Sequence, residues 1–161
     1  MALPLPEGEL TDGVVRLRTW SAHDVDALVA AWGDEEIQRW TRVPAQRTPE
    51  HALRWIAAEQ LRRDRGLALD LVVSPARTDD TTVLGEVGMV PLAGGPARAE
   101  LGWWVAAAYR RQGIATRAVG LFATWLREEL EFTDLFAEVD PENPASIWVA
   151  ESNNLRLRLR Q

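Results

Sequence analysis

A chain of 161 residues with 47% hydrophobic content is long enough to bury a core without staples, and residues 1–161 read as one domain. It has no cysteine, which excludes disulfides, a thiolate nucleophile and sulfur-ligated metal; all 18 basic residues are arginine, which excludes a Walker-type phosphate loop and Schiff-base chemistry. The net charge of −6 argues against nucleic acid as a partner and favours a cationic one, such as an amine.

Residues 1–12 carry no period and read as a lead-in. The segment from Val14 to Trp20 alternates and predicts a first strand. Ser21 then caps a helix with Asp24 in its first turn and Val25, Leu28, Val29 and Trp32 along one face. Gly33-Asp34 breaks it, and a short helix follows through Trp40. Thr48 followed by Pro49 opens another helix, whose apolar stripe is Leu53, Ile56, Ala57 and Leu61, ending at Arg65-Gly66. Strands are expected at 67–74 and 83–92, joined by the polar turn 75–82, and a Gly94-Gly95-Pro96 turn leads to a strand at 98–105. An amphipathic helix from about Thr116 to Leu130 follows, then a strand at 135–139, a short helix at 144–151 and a last alternating run at 155–160. The strands at 98–105 and 135–139 flank a single helix and should pair in parallel. The expected fold is a mixed α/β sheet, with an antiparallel N-terminal meander and a parallel pair at the turn after Val105. No stretch is long or apolar enough to span a membrane and no signal peptide is evident, so the expectation is a cytoplasmic protein without a membrane partner.

The segment from Val105 to Thr116 is the most specific signal. An apolar strand enters it and a helix leaves it, with small residues Gly113 and Ala115 at the junction. Such a turn presents unpaired backbone N–H groups at the positive end of a helix dipole, where Arg110 and Arg111 add positive charge. The physics points to a phosphate ligand, and to a diphosphate in particular.

Arg110-Arg111-Gln112-Gly113-Ile114-Ala115 resembles Arg/Gln-x-x-Gly-x-Gly/Ala, the acetyl-CoA pyrophosphate loop of the Gcn5-related N-acetyltransferases (GNAT). Three further blocks are similar to the RimJ/RimL-like branch that acetylates ribosomal-protein N-termini: Leu10 to Arg18, Ala99 to Val105, and Asp140 to Glu151, the last of these matching Asn-x-x-Ser-x-x-Val-x-Glu. The resemblance covers nearly the whole chain. It implies the GNAT fold, with the strand before the loop splayed from its parallel partner, acetyl-CoA as cofactor and CoA as product, and no metal. Pantetheine would pair with the backbone near Trp103, Trp104 and Val105. The diphosphate would lie on the N–H groups of Arg111, Gln112, Gly113, Ile114, Ala115 and Thr116, with Arg110 beside it. Asn143 would hold the pantetheine arm, Ser146 would protonate the leaving thiolate, and a backbone N–H close to Val105 would stabilise the oxyanion.

For the base, Glu100 matches a glutamate that serves the histone-modifying branch, with Glu86 on the preceding strand as its rival; transfer through water without a dedicated base is a third route. Either carboxylate would need burial to act at neutral pH. Most of the eight tryptophans are expected in the core, while Trp40 and Trp104 are assigned to the acceptor site. Asn143 could instead cap the helix that follows it.

Two features depart from the branch. Where the branch usually continues Glu-Lys-x-Gly-Phe, this chain has Glu151-Ser-Asn-Asn154-Leu155, and Asn154 is expected to take the left-handed position. The sequence also ends at Gln161, where the branch normally adds a strand and loop that wall the acceptor site. The run at 155–160 would then be a sheet edge, expected to be covered by a second copy in a homodimer. The sequence supports an acetyl-CoA-dependent N-acetyltransferase acting on a protein N-terminus or a small-molecule amine. The competing reading is an acyl-CoA-binding or interaction module that kept the loop and lost the transfer.

Overall fold

The computed structural model describes residues 1–93 and 97–161; the expected turn at Gly94-Gly95-Pro96 lies outside the described residues. One seven-stranded sheet runs β1-β2-β3-β4-β5-β6-β7 in spatial order, from β1 (Leu10–Thr11), β2 (Val15–Arg18), β3 (Leu69–Pro75), β4 (Gly85–Leu92) and β5 (Arg98–Val105) to β6 (Asp134–Val139) and β7 (Arg156–Leu159). The first five pair antiparallel, and β5–β6 and β6–β7 pair in parallel. Parallel neighbours need crossover connections, supplied by α5 (Ile114–Glu128) and α6 (Pro144–Ser152).

Period-2 alternation gives the sheet two apolar faces and therefore two cores. Leu69, Leu71, Val73, Val87, Met89, Ala99 and Leu101 point to one side and pack against Ala118, Val119, Phe122, Ala123 and Leu126 of α5. On the other side, Val72 and Val83 meet Trp20, Leu28, Trp32, Ala52 and Ile56. This second core is roofed by α1 (Val25–Trp32), α2 (Glu35–Trp40) and α3 (Pro49–Ala57), with α4 (Glu59–Asp64) beside β3.

The cap signals at Ser21 and Thr48 are realised, and Asp34, read only as part of a break, proves to be a cap as well. Ser21 and Asp24 form a capping box at a 3₁₀ turn (Ala22–Asp24) that leads into α1; Asp34 caps α2 and Thr48 caps α3. Asn154 takes a left-handed backbone at φ 57°. Two expectations are corrected. The lead-in is not featureless: Leu3 is buried, and Leu10–Thr11 pairs with β2 through a turn in which Asp12 Oδ1 accepts from the N–H groups of Val14 and Val15. The helix after Thr48 is two helices, interrupted at Ala58, and its buried face is Ala52, Ile56 and Glu59, whereas Leu53 and Leu61 are 46% and 51% exposed. The larger aliphatic residues suggested the wrong stripe. The closest packing against α1 accepts alanine, since Ala52 has no exposed surface at all.

Candidate active site

The pairing of β5 with β6 covers only Arg98↔Asp134, Ala99↔Leu135 and Glu100↔Phe136, while β5 stays paired with β4 as far as Gly85↔Val105. From Leu101 onward β5 therefore diverges from β6, and a cleft opens between them. Leu101, Gly102, Trp103 and Trp104 line it from β5, Glu138 and Val139 from β6, and Asn143 and Ser146 from the start of α6. The cleft is continuous with a hollow under the helical roof, walled by Trp32, Trp40, Val43, Pro44 and Trp55 and floored by Asp70, Glu86 and Gly88; the whole cavity measures about 380 Å³.

At the far end of β5 the chain makes a 3₁₀ turn (Ala107–Tyr109) and enters α5. Arg111 and Gly113 both have left-handed backbones, at φ 63° and 75°. Left-handed residues so closely spaced turn consecutive N–H groups toward one side, the geometry of an anion nest. No side chain caps α5, so the N–H groups of its first turn keep their donor capacity. A Cβ on Gly113 would meet no atom within 4 Å, so the space in front of it is open. Arg111 and Gln112 are exposed, Ile114 is buried, and Ala115 and Thr116 are half-buried. Arg110, beside the nest, has two partners within the protein. Its guanidinium donates to Asp34 Oδ1 at 2.6 Å and to the Val105 carbonyl at 3.2 Å, fastening the loop to the N-terminus of α2. That ion pair holds the Asp34 carboxyl below its ordinary value, the Arg110 hydrogen bond being the largest cause.

Asn143 is buried and caps α6, its Oδ1 accepting from Ser146 N at 3.2 Å. Both the capping position and the cavity wall are therefore occupied by the same residue. Ser146 is half-buried on the cavity wall.

The cavity floor carries the unusual electrostatics. Glu86 Oε2 accepts from Trp20 Nε1 at 3.0 Å, and Oε1 accepts from Trp104 Nε1 at 3.2 Å. Burial raises the Glu86 carboxyl well above its usual range, and the neighbouring Asp70 charge adds to this; the two indole donors and Arg62 pull the other way without cancelling it. Burial likewise pushes Asp70 up to about 6, against the opposing charge of Arg62, whose Nε lies 3.6 Å from Asp70 Oδ2. Arg62 is held by its own contacts, stacking 4.2 Å over the Trp55 ring and donating from Nη1 to the Trp55 carbonyl at 2.7 Å. Trp55 in turn meets Trp20 and Trp32 edge-on, at 5.7 and 6.3 Å between centroids. Trp40 lines the roof, with Nε1 donating to Glu36 and Arg39 stacked 4.3 Å over its ring.

Of the residues assigned from sequence, the cavity gathers Trp40, Glu86, Glu100, Trp103, Trp104, Asn143 and Ser146. The loop residues from Arg110 to Thr116 form a separate surface at the end of β5. Trp32, Trp55 and Asp70 were missed. Asp70 had a visible signal as the single acid in the apolar run 69–73, on the same strand face as Val72.

The Acetyltransferase (GNAT) domain family matches residues 15–156. The chain belongs to the GNAT acetyltransferase family. The fold of this GNAT chain is also that of the RimJ/RimL branch. It is similar to Mycobacterium smegmatis RimJ in complex with CoA-disulfide, at TM-score 0.74 and 20% identity, covering 86% of this chain and 68% of that one. A structure of RimL, the ribosomal L7/L12 alpha-N-protein acetyltransferase in complex with coenzyme A, gives TM-score 0.76 at 19% identity, covering 91% and 82%. The ribosomal-protein-S5-alanine acetyltransferase of Vibrio fischeri gives TM-score 0.76 at 17%, also covering 91% and 82%. No curated protein matches the chain.

Proposed function

We propose that this GNAT domain, residues 1–161, transfers the acetyl group of acetyl-CoA directly to a primary amine. The observation that carries the reading is the divergence of β5 from β6 between an uncapped, nest-like helix entry and a cavity floored by buried carboxylates. Acetyl-CoA fits the residues present. The N–H groups of Arg111, Gln112, Gly113, Ile114, Ala115 and Thr116 hold the diphosphate, and Arg111 adds its charge. The diverging backbone at Trp103, Trp104 and Val105 offers a strand edge to the pantetheine amides, with Asn143 across the gap. Arg110 serves by anchoring the loop to Asp34 and not by touching phosphate.

The cofactor supplies an acetyl thioester, an acyl carbon with a thiolate leaving group. Glu86 is favoured over Glu100 as the base, because it lies on the cavity floor and its burial raises its proton affinity well above that of an ordinary carboxylate. It takes a proton from the incoming ammonium, leaving a neutral amine. As the amine nitrogen bonds to the acyl carbon, a backbone N–H near Val105 steadies the oxyanion. When the carbon–sulfur bond breaks, Ser146 delivers its proton to the departing thiolate and is reprotonated by the second proton the nitrogen loses, so that the ammonium's three protons end on the acetamide, on the CoA thiol and on Glu86, which then releases its own. RimL and the S5-alanine enzyme are named for protein acceptors, which supports an amine acceptor for this chain in general. A cytoplasmic setting and a homodimer closing the β7 edge, where Leu159 is exposed, belong to the same reading.

Titration calorimetry with acetyl-CoA, comparing the wild type with Gly113→Trp, tests it. Micromolar binding that is lost in a folded Gly113→Trp supports the reading, since the new side chain projects into the open space before the nest. Absence of binding to the wild type would overturn it in favour of an interaction module.

A further inference from the structure

We propose that the acceptor is a compact primary monoamine on an apolar body, of arylalkylamine size, whose ammonium group lodges between Asp70 and Glu86 above the Gly88–Gly102 gap. The proposal rests on the acetyl-transfer reading and specifies the substrate of that same site.

The gap is built by two glycines that face each other across β4 and β5. A Cβ on Gly88 would meet Asp70 Oδ1 at 2.5 Å, so the Asp70 carboxylate lies across β4 in the space that a side chain would fill. A Cβ on Gly102 would meet nothing within 4 Å, so the floor beside that carboxylate is open. Asp70 and Glu86 sit on the same face of the sheet, opposite Gly88 and Val72 respectively. Glu86 has one indole donor on each oxygen, whereas Asp70 stands 3.6 Å from Arg62, too far for a hydrogen bond. An ammonium brings three donors and no acceptor, which complements two carboxylates with spare lone pairs.

Charge and wall chemistry restrict the rest of the ligand. The charged groups lining the cavity are Asp70, Glu86, Glu100, Glu138 and Asp140 against Arg42 and Arg160, and Arg160 lies 3.5 Å from Glu138. With Arg62 beside Asp70 counted as well, the acids still outnumber the arginines five to three, and the cavity favours a cation at its floor. Above the floor the walls are indole faces from Trp32, Trp40, Trp55 and Trp104, with Val43 and Pro44. Indole faces attract a cation within about 6 Å and bury apolar carbon, yet offer nothing to an amide carbonyl. A peptide carries a peptide unit at every residue beyond its N-terminus, and each one set against the indoles, Val43 and Pro44 would lose its water without a replacement partner. A second ammonium, as in a polyamine, has poorer partners: beyond the floor the lining acids are Glu100, Glu138 and Asp140, and Glu138 is already paired with Arg160. A single ammonium on an aromatic or aliphatic body meets neither penalty.

CoA-thiol release from acetyl-CoA by the wild-type protein is measured with phenethylamine, spermidine and a peptide beginning with alanine. The expected result is a kcat/KM for phenethylamine at least tenfold above both others. Quenching of tryptophan fluorescence provides the second reading: phenethylamine should bind at least tenfold more tightly than 2-phenylethanol, and Asp70→Asn should erase most of that preference. Acetyl-CoA binding followed by preferred acetylation of the peptide or of spermidine, or by equal binding of the alcohol, overturns this proposal alone. Failure to bind acetyl-CoA overturns the transfer reading with it.

Discussion

Asp70 gives the most quantitative expectation. Its folded carboxyl keeps its proton up to about pH 6, while the ordinary value of 3.8 applies to the unfolded chain. Between those values the native state holds a proton that the unfolded state has released, so stability falls as pH rises through that window. A separation of about two pH units at 1.36 kcal/mol per unit corresponds to about 3 kcal/mol in all, of which about 2.4 kcal/mol is lost between pH 4 and pH 7. Asp70→Asn removes the titration while keeping the shape of the side chain. The measurement is the urea unfolding free energy of both proteins at pH 4, 5, 6 and 7. The stability of wild type relative to the variant should drop by about 2.4 kcal/mol across that range, with most of the change before pH 6. Burial is the largest cause of the shift, so the drop should survive 0.5 M salt, which screens exposed charges far more than buried ones. A difference that stays flat with pH, or that grows as pH rises, would refute the account of a buried carboxyl and with it the floor of the site.

Arg110→Ala should cost about 0.5–1 kcal/mol near pH 7, the range for a partly exposed ion pair. Because the Arg110 contact lowers the Asp34 carboxyl, that difference is present above the ordinary carboxylate value and should fade in unfolding curves taken below pH 4. Phe122→Ala empties a fully buried site between α5 and the sheet and should cost about 3–5 kcal/mol in denaturant unfolding. Ser146→Ala should lower kcat for CoA-thiol release by about 10²-fold or more, with acetyl-CoA affinity by calorimetry nearly unchanged, if the hydroxyl delivers the thiolate's proton. An unchanged kcat would move that proton to water.

Elements whose signals lie within one helix or strand were legible in the sequence, and contacts between distant segments were not. Ser21 and Thr48 announce their helices because a cap is satisfied by backbone two or three residues away, and Asp34, read only as part of a break, caps α2 through the same kind of local contact. Strand β5 was bounded correctly by its alternation, and Asn154 by its tolerance of a left-handed backbone. Leu10–Thr11 is too short to display a period and exists because Asp12 and Gly13 fold it back on β2. The choice of Leu53 and Leu61 over Ala52 failed because apolarity was counted without the spacing between α1 and α3. At the site, the left-handed turn into α5 was legible from Gly113 and its neighbours. Asp70 was not, because its meaning comes from lying over Gly88 across a strand pair and beside Glu86, a register that sequence alone does not set. Trp32 and Trp55 read as core residues, and they are; the same indoles also wall the cavity, because the core beneath the roof is only one layer thick there.

The reassignment of Arg110 alters how the two halves of the site relate. A guanidinium beside a phosphate nest reads as a ligand contact, but its partner here is Asp34, 76 residues earlier. Asp34 is also the cap of α2, its Oδ1 accepting from the Ile37 N–H as well as from Arg110. The same guanidinium holds the carbonyl of Val105, the last residue of β5. One side chain thus joins the end of the diverging strand, the entry to the nest and the helix whose last residue is Trp40 on the cavity roof. Charge near the nest comes instead from exposed Arg111, whose left-handed backbone is part of what turns the N–H groups. Adjacent arginines that look redundant in the sequence are therefore placed differently: Arg110 ties the end of β5 to the start of α2, and Arg111 is exposed at the nest, which under the proposed function leaves Arg111 to face the anion.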